Sequence, residues 1–312
     1  MTLLSSGVPL AQSLRGAVIA LGNFDGFHRG HQAVVGRAVA RARAEGRPAI
    51  VATFDPHPAR YFRPNMPYFR LTTLEQRARL FADAGADATL VLRFDGELAA
   101  LSPEAFVAQE LVGRFGAAAV VTGEDFTFGK ARAGTAPMLA SLGSAHGLAA
   151  ETVAPVTDAD GVISSSRVRT ALIEGDCASA TRLLTRPFAI EGMVVHGDKR
   201  GRELGYPTAN MELGNYLRPR FGIYAVRARL DDGRSLDGVA NLGIRPSFDP
   251  PRELLEPYFL DFDGDLYDRT IEVGLVHFLR PEAKFDSLDM LKTQMAADCE
   301  EARRLLSAIP SP

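Results

Sequence analysis

The sequence predicts an α/β chain in two parts: a parallel sheet flanked by helices, followed by a small antiparallel β-barrel with a C-terminal helix. Three observations carry that prediction. Up to about residue 185, short apolar runs alternate with stretches of helical period. After Arg186-Pro187, runs of strand period follow one another with no helical stretch between them. Residues 287–306 then return to an amphipathic helical pattern. A chain of 312 residues suits two domains, and the change of pattern sets them at 1–185 and 186–312.

In the first part, Ala17-Val18-Ile19-Ala20-Leu21 reads as a buried strand. Val34, Val35, Ala38, Val39 and Ala42 then share one helical face, and Gly46 supplies the stop. Residues 49–54 and 90–92 are further short strands. Thr72-x-x-Glu75 reads as a capping box for a helix that ends before Gly85. Ser102-Pro103 joins an N-cap to a proline at the first helical position, and residues 117–121 return to strand. Helices over 164–174 and 177–184 complete this part. Repeated βα units imply parallel strands, whose carboxyl ends are where such sheets bind ligands. In the second part, strands are expected at 190–196, 223–230, 236–242, 254–262 and 270–278, with Asp231-Asp232-Gly233 as one of the turns between them.

Composition narrows the function classes. With 46% hydrophobic and 23% charged residues and a net charge of −3, the chain reads as an ordinary soluble protein that does not chiefly grip nucleic acid. Cys177 and Cys299 make neither a disulfide framework nor a zinc cluster. The first basic residue is Arg15, no apolar leader follows a charged start, and nowhere do about 18 apolar residues run together. A cytoplasmic protein with small-molecule partners is expected, with no role for a membrane. A homo-oligomer is compatible and not required.

The most informative stretch is Gly22-Asn23-Phe24-Asp25-Gly26-Phe27-His28-Arg29-Gly30-His31, between the first strand and the first helix. Glycines allow close backbone approach, and unpaired N–H groups gather with the helix dipole where the helix begins, so a phosphate is the natural guest. Two histidines satisfied within an ordinary turn are the plainer reading. His57, in Asp55-Pro56-His57-Pro58, leaves the next strand and should border the same cleft. After residue 121 come Asp125-Phe126-Thr127-Phe128, whose aromatics either stack a planar ligand or fold back into the core. Ser164-Ser165-Ser166-Arg167-Val168-Arg169 is a second phosphate grip or a plain N-cap with solvated arginines.

In the second part, Gly197, Lys199 and Gly201 suggest amides and cations around phosphates. Thr208 and Asn210 of Pro207-Thr208-Ala209-Asn210 read either as neutral oxygen ligands on one strand face, suited to a magnesium ion already bound to ATP, or as part of a plain turn. Asp261, Asp263, Asp265 and Glu272 mimic the spacing of a calcium loop, but Leu266 stands where its glycine belongs. Glu256 sits inside an apolar run, as a partly buried base or as a strand residue facing water.

Taken in order, GNFDGFHRGH, TFDPHP, LTTLEQR, GEDFTFG, ISSSRVR, HGDKRGRELGYPTAN, NLGIRPSF, LDFDGDLY and KFDSLDML resemble the bacterial bifunctional riboflavin kinase/FMN adenylyltransferases, or prokaryotic FAD synthetases, over nearly the whole chain. The resemblance implies a Rossmann-like nucleotidylyltransferase domain, in which the FMN phosphate attacks the α-phosphate of ATP, and a riboflavin kinase barrel. It further implies that His28 and His31 are catalytic at the ATP phosphates, in a nucleotide loop containing Gly22, Phe24, Asp25 and Gly30. Ser164, Ser165, Arg167 and Arg169 would hold the leaving pyrophosphate, and His57, Asp125, Phe126, Phe128 and Arg245 the flavin. In the kinase, Gly197, Lys199 and Gly201 would meet the nucleotide, Thr208 and Asn210 would hold its Mg²⁺, and Glu256 would act as base. Ser166 in place of threonine, Phe27 in place of an aliphatic residue, and Pro257-Tyr258 depart from the pattern; the last bears on flavin positioning. Two other readings are an adenylyltransferase for a different phosphorylated cofactor precursor and a non-catalytic flavin sensor. The PTAN motif with its barrel argues against the first, and the paired histidines with Glu256 against the second.

Overall fold

The protein is described by a computed structural model over residues 2–7, 10–196, 206–245 and 251–309. It forms two compact units: residues 1–67 with 74–164, and residues 68–73 with 165–312.

The first unit is a six-stranded parallel sheet ordered β1-β4-β3-β2-β5-β8, where β1 is Thr2–Ser5, β2 Val18–Leu21, β3 Ala49–Asp55, β4 Ala88–Arg93, β5 Ala119–Gly123 and β8 Ala149–Val153. Buried residues alternate to its two faces. Ile19, Leu21, Ile50, Ala52, Leu90 and Val120 belong to one core, and Val18, Ala20, Val51, Ala119 and Val121 to the other. Burial on both faces explains why these strands read as continuous apolar runs. Helix α1 (Arg29–Ala44) buries the expected Val34, Val35, Ala38, Val39 and Ala42. Helices α2 (Pro58–Phe62), α3 (Leu74–Asp83), α4 (Gly96–Ala100) and α5 (Pro103–Ala105) follow. Helix α5 continues as a wide π-helical segment over Phe106–Arg114. The hairpin β6/β7 (Thr127–Phe128, Gly134–Thr135) and α6 (Ala136–Ser144) lead into β8, and the short pair β9/β10 (Thr157–Asp158, Gly161–Val162) comes after it.

In the second unit, α7 (Ser165–Glu174) and α8 (Cys177–Leu184) precede a closed antiparallel barrel. Its order is β11-β12-β15-β14-β13-β16, comprising Phe188–Val195, Asn210–Glu212, Arg252–Phe259, Ser235–Arg245, Gly222–Arg229 and Thr270–Arg280. Helix α9 (Leu288–Ser307) packs on its outer face through Ala302 and Leu306 against Ala225 and Val276. The division by contacts therefore groups α7 and α8 with the barrel, whereas the sequence pattern sets the boundary after them. The reason is packing: α8 buries Cys177, Ala180, Leu183 and Leu184, and it lies against β11 and β16. Both cysteines are free and buried, and burial pushes the Cys177 thiol up to about 12.

Candidate functional site

In the first unit, the sheet changes direction between β2 and β5, because β3 and β4 lie to one side of β2 and β5 and β8 to the other. Loops leaving the carboxyl ends of β2 and β5 border that switch point, the usual ligand crevice of an open parallel sheet. The β2 loop carries the histidines. A side chain on Gly22 would meet the Phe24 ring at 2.9 Å, so the tight exit from β2 depends on glycine. Phe24 and Phe27 have φ of 50° and 46° and are buried against the Phe81 ring. Asp25 is also buried.

His28, 5% exposed, caps α1: its Nδ1 accepts from the N–H of Gly30 (3.1 Å) and from that of His31 (3.4 Å). This revises the expectation of unpaired amides at the helix start, since the imidazole already satisfies two of them. It also fixes the tautomer. An Nδ1 that accepts two hydrogen bonds leaves the ring proton on Nε2, which becomes a donor. The His31 ring stacks on His28 with centroids 3.6 Å apart and meets Phe24 edge-on. His57 repeats the device, with Nδ1 accepting from the Ala59 N–H (3.1 Å) at the start of α2.

Two residues that sequence reasoning passed over brace this loop. The Thr53 hydroxyl donates to the Asn23 carbonyl (2.8 Å), and the buried Arg77 guanidinium donates to the same carbonyl (2.9 Å) and to the Thr53 oxygen (2.7 Å). Arg77 ends the LTTLEQR motif, but nothing in that string shows that its side chain turns inward.

The β5 loop takes, for one of its aromatics, the core-facing alternative that the sequence left open. Asp125 is exposed and Phe126 half-buried, but Phe128 is only 6% exposed and packs on Phe106 within the core. Phe126 stacks on it with ring planes 12° apart. Ser164 closes the first unit, and Ser165, Arg167 and Arg169 belong to the second. Within that unit Arg169 donates to the Phe69 carbonyl (2.9 Å) and lies over the Phe69 ring, so part of its guanidinium serves the fold.

In the barrel, a cavity of about 660 Å³ opens between the outer face of β13, β14 and β15, the segment 280–287 and α9. Thr208, Arg245 and Glu256 line it together, although they lie far apart in sequence. Thr208, read from the sequence as a strand residue, instead lies just before a strand. Asn210 begins β12, and the Ala209 N–H donates to the Pro257 carbonyl (2.9 Å), which draws PTAN beside β15. Met211 pairs with Leu255 and Glu212 with Leu254, so the same register puts the buried Asn210 opposite Glu256. Glu256 pairs on its other side with Asn241 of β14. Its carboxylate does not merely face water: it forms an ion pair with Arg245, whose Nη1 also lies 3.7 Å from Glu282. Burial holds the Arg245 guanidinium below its ordinary value, while Glu282 pulls it upward. Glu282 fits against β14 because residue 243 is glycine; a side chain there would collide with the Glu282 carboxylate. Tyr258, one residue past the unusual Pro257, lines the same cavity. Gly197, Lys199 and Gly201 lie outside the described residues.

Comparison with known proteins agrees in both halves. A family model described as FAD synthetase matches residues 10–167, and one described as riboflavin kinase matches residues 184–306. A bifunctional riboflavin kinase/FMN adenylyltransferase of Pseudomonas fluorescens is 42% identical over 95% of this chain and 94% of its own length. That of Escherichia coli K12 is 40% identical over 92% of each chain, and that of Bacillus subtilis 39% over 93% of each. A solved structure described as a macrolide-efflux protein from Streptococcus pneumoniae has a TM-score of 0.86 at 32% identity, over 97% of this chain and 99% of that one. Among the described residues, no helix is long and apolar enough to cross a membrane.

Proposed function

The chain belongs to the bifunctional riboflavin kinase/FMN adenylyltransferase family, and from that premise we propose how its residues divide the work. The protein phosphorylates riboflavin to FMN and adenylylates FMN to FAD, with ATP as co-substrate in both steps. Adenylyl transfer is assigned to residues 1–185 and phosphorylation to residues 186–312, with the cytoplasm as the compartment.

At the sheet, the nucleophile is the FMN phosphate, which is already anionic, so orientation and charge stabilisation carry the step. His28 is built for the second task. Its cap orients the ring and holds the proton on Nε2, where it can donate to an ATP phosphate oxygen as charge develops there. His31 stacks beside it, and Gly22, Phe24, Asp25 and Gly30 shape the loop. Ser164, Ser165, Arg167 and Arg169 are assigned to the leaving pyrophosphate, and His57, Asp125, Phe126 and Phe128 to the flavin side. Phe128 acts there from the core, by holding Phe126 in place.

At the barrel, the nucleophile is an alcohol and needs a base. One observation carries the assignment: Glu256 stands in the cavity wall with Asn210 beside it in register and Thr208 on the same cavity. A base on the polyol thus lies next to the residues proposed for Mg-ATP. The donor set fits that ion, since neutral oxygens bind a hard cation weakly by themselves and suit one that arrives on a triphosphate. Bound there, Mg²⁺ would neutralise charge on the phosphoryl group being transferred. Arg245 is paired with Glu256 and places a fixed positive charge beside it at the polyol end of the cavity.

The direct test is to incubate the purified protein with riboflavin, ATP and Mg²⁺ and to separate the flavins by chromatography. FMN should appear first and FAD after it, and chelation should stop both. Formation of neither flavin would overturn the assignment.

A further inference from the structure

Asn241 is assigned no role by the motifs, yet its place in the barrel is specific. It lies on β14 directly opposite Glu256 and lines the same cavity. Across four strands the register gives one row, Asn210, Glu256, Asn241, Ile223, whose residues share a face of the sheet. In the next row along, Tyr258 and Val239 line the cavity, while Ala225 is covered by α9. The cavity therefore has a polar end around Glu256 and an apolar end toward Tyr258, matching a ligand with a polyol at one end and a flat ring at the other. Within the polar row, Asn210 flanks Glu256 on the side proposed for the nucleotide, and Asn241 flanks it on the side away from it. The Asn241 Oδ1 atom is buried and has no hydrogen-bond partner among the described residues. A buried acceptor without a donor is unfavourable unless a ligand supplies one.

We propose that Asn241 orients riboflavin for the kinase reaction by accepting, through Oδ1, a hydrogen bond from a ribityl hydroxyl other than the one that Glu256 deprotonates. The inference rests on the reading of this cavity as the kinase site. Cross-strand neighbours stand about 5 Å apart at Cβ, which suits two hydroxyls of one polyol chain. Glu256 then takes the proton from the terminal hydroxyl while Asn241 fixes the chain behind it. Asn241 thereby contributes to substrate choice, because a flavin lacking the partner hydroxyl leaves the same acceptor unmatched.

The test uses the full-length protein, with FMN formation measured on riboflavin and on a set of analogues that each lack one internal ribityl hydroxyl. Wild type should lose at least about tenfold in kcat/KM on one analogue. Asn241→Leu, of similar shape but with no acceptor, should lose about 10- to 100-fold on riboflavin and treat riboflavin and that analogue alike. Asn241→Ser, which keeps an oxygen, should recover part of the discrimination and serves as the second variant if Asn241→Leu does not fold. FAD formation from supplied FMN is the folding control. Wild-type kcat/KM in Asn241→Leu, or an equal loss on riboflavin and on every analogue, would overturn the proposal; the second result would mark Asn241 as merely structural. Glu256→Gln separates the two levels. If Glu256→Gln phosphorylates riboflavin normally, the reading of the cavity itself falls; if it is inactive while Asn241→Leu is normal, only the role of Asn241 falls.

Discussion

A histidine that caps a helix through Nδ1 does two jobs at once, and at residue 28 they can be separated. The ring satisfies two backbone amides, a role worth about 1 kcal/mol, and it leaves the ring proton on Nε2 as a donor. Asparagine is also a good N-cap but is too short to place a donor where Nε2 stands. His28→Asn should therefore keep nearly the wild-type melting temperature while adenylyl transfer falls by roughly 10²- to 10³-fold, the usual loss for one charge-stabilising donor. His28→Ala should lose both stability and rate. FMN should accumulate in each variant, because the barrel does not contain this loop. Unchanged FAD formation from FMN in His28→Asn would mean that the histidine serves the fold alone. At the other site Glu256 is likewise held by a partner, through its ion pair with Arg245.

Elements with strong periodicity or polar caps were legible in the sequence. The buried face of α1 follows from spacing, and Ser102, Asp176 and Ser287 each accept a backbone N–H at a helix start. The edge strands β1 and β8 were not legible: Thr2–Ser5 is mostly exposed, and Ala149–Val153 mixes small, charged and β-branched residues, so neither makes a buried run. For the sites, sequence reveals chemistry but not register. Glu256 was visible as a carboxylate among apolar residues, whereas Asn241 and Arg77 acquire meaning only from the strand and loop they face. The π-helical segment Phe106–Arg114 was also hidden, since residue types do not encode an i to i+5 bond such as that from the Phe115 N–H to the Glu110 carbonyl. Glu110 gives that segment a test. Its side chain is only 8% exposed, and burial raises its pKa, against which Arg114 pulls down. A raised folded-state pKa means that this carboxyl favours the fold below its ordinary value of 4.5, and that the advantage is lost as the pH rises through the folded value. Glu110→Gln should thus melt above wild type at pH 7, with the gap closing below pH 4.5. A gap that is constant from pH 4 to 8 would show that the carboxyl is not strained by burial.

At the scale of the whole molecule, the change of sequence pattern and the two compact units do not share a boundary. Strand periodicity begins after Arg186-Pro187, but α7 and α8 are part of the barrel unit by their contacts. The Arg220 N–H donates to the Leu172 carbonyl (3.0 Å), and the Arg220 guanidinium lies over the Phe278 ring of β16, so α7 is tied to the barrel wall as well. Leu172, Cys177, Leu183 and Leu184 are all at most 4% exposed. Burying a leucine-sized side chain contributes about 1.5–3 kcal/mol. Losing this group would remove several kcal/mol from a domain whose total stability is about 5–15 kcal/mol. A fragment of residues 165–312 should accordingly unfold at a clearly higher urea concentration than one of residues 186–312, although both lack residues 68–73. The longer fragment should phosphorylate riboflavin and make no FAD. The shorter one, despite carrying every residue assigned to the kinase site, should be marginal or unfolded. Equal urea midpoints, with equal FMN formation, would show that the two helices belong to the sheet unit after all and that the change in periodicity marks the true boundary.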